Sequence, residues 1–297
     1  TLPRVPAGAV NAAARARLEV GSRAAGAPDR NARPGGMSMS LLRRLFGRPG
    51  GRKPAVSEEA WQRAIEQHPI CNRLSAEQRE ALRLRTGEVL SRLDIETVRG
   101  LSDSPELRLS VALQAALPIL ELGVGWYRAV RSILLVPEEY ETDLTTVDEA
   151  GVVHESTDTI SGEVGHQLPV VLSVADVEAS GWGDGYNVVI HEMAHVLDAT
   201  NGELDGEPAL PTGVDPARWR EAFSKARSEH LRRVRRAERG GSKARTTVNP
   251  PVIDPYGAEG PEEFFACSAE VFFERPRRLK RAYPELYEQL CAFFGYC

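Results

Sequence analysis

Tyr186-Asn-Val-Val-Ile-His-Glu-Met-Ala-His-Val-Leu-Asp198 is the stretch whose reading decides the fold. Val188, Val189, Ile190, Met193 and Ala194 fill it with apolar side chains, and no proline interrupts it, so it reads as a buried helix from about Tyr186 to Ala199. Asp184-Gly185 marks a turn before it, and Asn201-Gly202 is a good stop after it. Within it lies His191-Glu192-Met193-Ala194-His195. Helical residues four apart stand about 400° round the axis, so both imidazoles leave one face and can grip one ion. Glu192 sits about 100° away, suited to touch a water held by that ion. Zinc fits such a set, because catalytic zinc takes three protein ligands and keeps one position for water. Two histidines and a glutamate in an apolar stripe are costly unless something compensates them.

The third ligand sets the subclass. A metzincin places a ligand ten residues after the first histidine, but Asn201 stands there, and Asp198 occupies the position of the metzincin glycine. The alternative is a glutamate from a later helix, and candidates cluster in Tyr256-Gly-Ala-Glu-Gly-Pro-Glu-Glu-Phe-Phe-Ala-Cys-Ser-Ala-Glu270. Glu263 and Glu270 are seven apart and share a face, so spacing leaves both open. Glu262, in the first turn after Pro261, is explained by the helix dipole. Asp198 and Asn187, each about one turn from a histidine, either orient a ligand or cap the chain locally. His68, His154, His166 and His230 have no partner at ligand spacing and are assigned no metal.

Outward from this core the chain reads as α+β. Ser57-Glu-Glu and the capping box Ser75-Ala-Glu-Gln78 open two helices, and Ser104-Pro105 opens a third over about 105–117. Together they make an N-terminal helical layer. Ser132-Ile-Leu-Leu-Val136, Val152-Val153 and Val170-Val-Leu172 read as strands of a small mixed sheet, the last with an edge to which an extended peptide could add. Beyond the central helix, one helix is expected over about 216–239 and two more over about 261–275 and 284–294. Between Arg218 and Arg245 stand 11 Lys/Arg against Glu221, Glu229 and Glu238, read as a solvated face or as a dock for an acidic partner.

The 297 residues carry a net charge of −5, with 42% hydrophobic and 27% charged residues, which excludes collagen-like, coiled-coil and wholly disordered chains. No membrane span is expected: Leu107–Trp126, the most apolar stretch, contains Arg108, Glu121 and a central Pro118, and reads as a buried, broken core helix. Residues 1–56 hold 11 basic residues against Glu19 and Asp29, a net of +9. They are read as a disordered basic tail, with 1–36 either disordered or an over-extended translation start, ahead of one domain over 57–297. No aromatic residue interleaves the arginines before Phe46, which argues against a nucleic-acid arm. Cys71, Cys267, Cys291 and Cys297 form no C-x-x-C pair, and read as reduced thiols of a cytoplasmic protein.

The helix Tyr186–Asp198, with Asp254-Pro-Tyr-Gly257 and Pro261-Glu-Glu-Phe-Phe-Ala266, resembles the Mlc titration factor A family of bacterial zinc metallopeptidases. Val130-Arg-Ser-Ile-Leu134, Asp148–Glu155, Gly162-Glu163 and Pro169-Val-Val-Leu-Ser173 extend the likeness, which runs from about Trp61 to Phe294. The resemblance implies a zincin-like, gluzincin-type fold with one Zn2+ on His191, His195 and Glu263, and Glu192 as catalytic acid/base. It thereby chooses Glu263 over Glu270. Tyr256, seven residues before that glutamate as in lethal-factor-type zinc proteases, matches an oxyanion donor, although as a residue it also reads as packing at the start of a helix. The implied activity is aminopeptidase-like cleavage of peptides in the cytoplasm. In enteric bacteria the family is described as binding the repressor Mlc, which carries over here only as a repressor of sugar uptake as partner. The rival expectation is a regulatory binding protein whose zinc is structural and which sequesters that repressor.

Overall fold

Serine caps start three of the first helices. Ser57 accepts from the Ala60 amide at the head of α1 (Glu58–Gln67). Ser75 and Gln78 form the reciprocal capping box that opens α2 (Ala76–Arg92). Ser104 caps α3 (Pro105–Ala116), which stops just before Pro118 as the broken-helix reading requires. The computed structural model describes residues 56–98, 101–102, 104–137, 146–147, 153–154, 169–239 and 251–297. The expected basic tail therefore lies outside the described residues except for Val56, as do His166 and most of the matches between 148 and 163.

Strands β1 (Asp94–Thr97), β2 (Ser132–Val136) and β5 (Val170–Ser173) pair in the order β1-β2-β5. Asp94 faces Ser132, and Ile133 faces Val170, and both pairings are parallel. The expected mixed sheet is corrected here: among the described residues, the three-stranded sheet is wholly parallel. Helix α3 lies between β1 and β2 in the chain and supplies the crossover that parallel neighbours need. The antiparallel pairing among the described residues stands apart, between β3 (Thr146–Val147) and β4 (Val153–His154). Strand β1 was not expected, because it follows α2 at once and only Ile95 of its four residues is buried.

After β5, Ser173 caps a short α4 (Val174–Glu178), and a glycine-rich loop leads into α5 (Val188–Asp198). All eleven residues of α5 are buried. Helix α3 packs on it from one side, and α7 (Pro261–Glu274) runs along it from another. Helix α6 (Pro216–Arg239) lays one apolar stripe against the last helix and the 3-10 turn Pro255–Ala258. Trp219, Phe265 and Phe293 meet edge to face or tilted at ring separations of 5.4–6.0 Å and join α6, α7 and the last helix into one aromatic block. No described helix is long and apolar enough to cross a membrane.

The C-terminal region holds three helices where two were expected: α7, α8 (Pro276–Ala282) and α9 (Pro284–Phe294). Pro276 and Pro284 each occupy a first helical turn, and Pro276, which bounds the expected helix 261–275, opens α8 instead of a loop. The expectation of four reduced thiols is likewise corrected, since Cys291 and Cys297 are joined by a disulfide. Gly295, at φ 81°, ends α9 in a left-handed turn and folds the chain back until the two Cα atoms stand 5.1 Å apart. Cys71 and Cys267 are free thiols, both buried.

Candidate metal centre

Helix α5 begins at Asn187, whose side-chain oxygen accepts from the Ile190 amide at 3.0 Å. From that fixed start His191 and His195 follow four apart, and their ring centroids lie 4.9 Å from each other. The Nε2 atoms of the two rings are 3.2 Å apart. Glu263, in the first turn of α7, brings its Oε2 to 3.2 Å from His191 Nε2 and 3.6 Å from His195 Nε2. All three side chains are buried.

These separations test whether a metal fits. Four donors about 2.0–2.1 Å from zinc at tetrahedral corners stand roughly 3.3–3.4 Å from one another. The three separations bracket that figure. Chemistry agrees with geometry. His191 Nδ1 lies 2.8 Å from Glu270 Oε1 and donates to it, so in the neutral ring Nε2 offers a lone pair. A lone pair, a second ring nitrogen and a carboxylate oxygen converging in a buried site repel unless a proton or a cation lies among them. Two imidazoles and one carboxylate form a donor set suited to zinc.

Without a metal the same convergence favours a proton. Burial disfavours the charged His191 ring, but hydrogen bonds to Cys267, Glu263 and Glu270 outweigh it and hold the imidazole well above its usual range. For Glu263, burial pushes the carboxyl up, yet the contacts to His191 and His195 prevail and hold it well below the usual range. Metal and proton therefore compete for this site.

Glu270 takes the other side of His191, where Cys267 completes a second group of ligand-type atoms within 4.8 Å of one another. Spacing left Glu263 and Glu270 equal, and their placement separates them: one faces Nε2 of His191 and the other Nδ1. Glu274 on the same helix was not singled out by the sequence. It accepts from Asn187 Nδ2 at 3.1 Å and from the Gly183 amide. A signal existed, because Glu263, Glu270 and Glu274 fall within about 40° of one another on a largely apolar helix.

Glu192, beside His191 in the chain, is buried at 8% exposure. The phenol of Tyr186 donates to Asp176 Oδ1 and is pushed up by burial and by the Asp176, Glu270 and Glu192 carboxylates. Tyr256 sits in the 3-10 turn Pro255–Ala258, pinned by the bond from its amide to Asp254 Oδ1. Its ring centre is 6.1 Å from that of His191. Asp198 acts as a loop cap: its Oδ2 accepts from the Gly206 amide at 2.9 Å. Burial, with Asp205 and Glu262 nearby, pushes its carboxyl up to about 8. His68 and His230 belong to neither group of ligand-type atoms among the described residues.

A protein named Mlc titration factor A, from Klebsiella pneumoniae, is 30% identical over 239 residues, covering 80% of this chain and 86% of the relative. One of the same name from Edwardsiella ictaluri is 31% identical over 227 residues, covering 76% and 83%. Another, from Escherichia fergusonii, is 29% identical over 243 residues, covering 82% and 88%. The family model for glucose-regulated metallo-peptidase M90 matches residues 48–295, and this chain belongs to that metallopeptidase family.

Proposed function

We propose that the chain is a zinc-dependent peptidase with a zincin-like, gluzincin-type active site, aminopeptidase-like in its preference and cytoplasmic. The observation that carries this reading is the approach of His191 Nε2, His195 Nε2 and Glu263 Oε2 to within 3.2–3.6 Å of one another in a buried site. His191, His195 and Glu263 are the residues that would hold one zinc ion. When bound, zinc supplies Lewis acidity, which acidifies a water and polarises a carbonyl. Glu192 takes a proton from the attacking water as its oxygen adds to the carbonyl carbon. It gives that proton to the amine nitrogen as the C–N bond breaks, and so returns to its starting ionisation. The Tyr256 hydroxyl donates to the developing oxyanion, and loss of such a donor costs about 3–4 kcal/mol. Strand β5 stands at one end of the described sheet order, where an extended peptide can align.

Zinc content and hydrolysis of aminoacyl-nitroanilides, measured on two variants, test the reading. Glu192→Gln keeps the metal and loses turnover, whereas Glu263→Gln loses both. Wild-type turnover by Glu192→Gln sinks the mechanism.

A second reading rests on the name the relatives share, Mlc titration factor A, and on α6. Arg232, Arg235, Arg236 and Arg239 lie exposed on its last turns. That face suits an acidic surface, and a repressor of sugar uptake is the partner such a name suggests. Retention of such a repressor at low salt, lost when the four arginines become serine, supports docking, and no retention removes it.

A further inference from the structure

A file of buried polar side chains runs from the N-terminal helices to the metal centre. His68, at the end of α1, places Nδ1 2.7 Å from the Ala64 carbonyl and Nε2 2.9 Å from Ser110 Oγ on α3. Gln114, one turn further along α3, places Nε2 3.3 Å from Ser110 Oγ and Oε1 2.9 Å from Asn187 Nδ2. The Asn187 amide N–H meets Glu270 Oε2 at 2.6 Å, and Glu270 Oε1 meets His191 Nδ1. His68, Gln114, Asn187, Glu270 and His191 are each no more than 5% exposed.

The direction of every bond in this file is fixed from both ends. At one end the Ile190 amide must donate, so Asn187 turns its oxygen toward it and its NH2 toward Gln114. Gln114 must then accept through Oε1, which leaves its NH2 for Ser110. At the other end the Ala64 carbonyl can only accept, so His68 carries its proton on Nδ1 and accepts at Nε2 from the Ser110 hydroxyl. The two assignments meet at Ser110 without conflict. A reversed amide at Gln114 or Asn187 would set two donors or two acceptors face to face in a buried site.

We propose that His68, Ser110 and Gln114 form a positioning arm, acting through Asn187 and Glu270, that holds His191 with its proton on Nδ1 and its Nε2 turned to the metal. The inference rests on the zinc-site reading above and extends it to residues on α1 and α3 that touch neither metal nor substrate. The arm has no slack. Gly181 packs against it at φ 87°, and a Cβ there would stand 2.8 Å from the His68 ring and 3.3 Å from Gln114 Oε1. Outer partners of metal-bound histidines typically set about 10–100-fold in metal affinity. Gln114 is one link further out, so its loss is expected toward the lower end of that range.

The test is zinc affinity of the whole chain, titrated in competition with a chromophoric chelator well below the melting temperature. Melting of the zinc-stripped protein is recorded alongside. Gln114→Met, close in volume but unable to donate and only a weak acceptor, is expected to weaken zinc about tenfold, and Ser110→Ala several-fold. Ser110→Thr, which keeps the hydroxyl, is expected to restore the affinity. A merely structural role would lower the melting temperature and leave the zinc affinity alone. If Gln114→Met and Ser110→Ala both bind zinc as the wild type does, while His191→Ala does not bind it, the arm is refuted and the metal site stands. If His191→Ala binds zinc as tightly as wild type, the metal-site reading itself fails and takes the arm with it.

Discussion

Helices α5 and α6 carry ionisable residues under opposite rules. In α5 all eleven residues are buried, among them His191, Glu192, His195 and Asp198. In α6 only six of 24 residues are buried, with His230 the one ionisable group among them, and most of the arginines and the lysine around that stripe face solvent, Arg227 and Arg233 being half-buried. Water meets the charges of α6, so each is cheap to keep and cheap to lose. No water meets the interior of α5, so its ionisable groups persist because α7 brings carboxylates to His191 and His195 and the Gly206 amide meets Asp198. Where a helix buries its ionisable groups, the neighbouring elements are part of the site.

The contrast meets its hardest test in Glu192→Gln. Removing a general acid/base typically costs about 10²–10⁴ in rate, and the expected outcome is a fall of that size in peptide turnover with bound zinc unchanged. Next in size is Trp219→Ala, a change on α6 that ought to behave like one on α5 because Trp219 is 1% exposed against Phe265 and Phe293. Denaturant unfolding should show a loss of about 3–5 kcal/mol. Asp198→Asn probes the buried charge on α5 itself. The folded carboxyl is raised to about 8 from 3.8, so its neutral form stabilises the fold fully below 3.8 and that stability is lost as pH rises toward 8. In zinc-stripped protein the asparagine variant should melt with the wild type at pH 4. It should melt higher at pH 8, by about 2–4 °C for each 1 kcal/mol recovered. The smallest effect belongs to Arg236→Ala, exposed on α6, where the melting temperature should move by less than about 2 °C.

Local rules made much of the molecule legible. The cap residues at Ser57, Ser75 and Ser104, the bounds of α6 and the buried helix around His191 all follow from patterns a few residues long. What escaped depends on distant parts of the chain meeting. Parallel pairing of β1 with β2 needs a crossover that no single stretch declares, and Asp94-Ile-Glu-Thr97 has too little apolar pattern to announce a strand. The choice between Glu263 and Glu270 is a matter of which ring nitrogen each one faces, and two residues on one helical face cannot reveal that. Gln114 carries no signal within its own helix, because its partner Asn187 lies 73 residues away. Cys291 and Cys297 looked unrelated because the turn at Gly295 that unites them is a matter of backbone, not spacing.

Glu263, Glu270 and Glu274 ride on one rigid rod. The first meets both histidines, the second grips the back of His191, and the third reaches the residue from which α5 starts. Docking α7 onto α5 therefore delivers all three carboxylates in a single event, and a shift of the rod along its axis displaces them together. The geometry of the candidate ion-binding cage is therefore set by how the last third of the chain seats on α5.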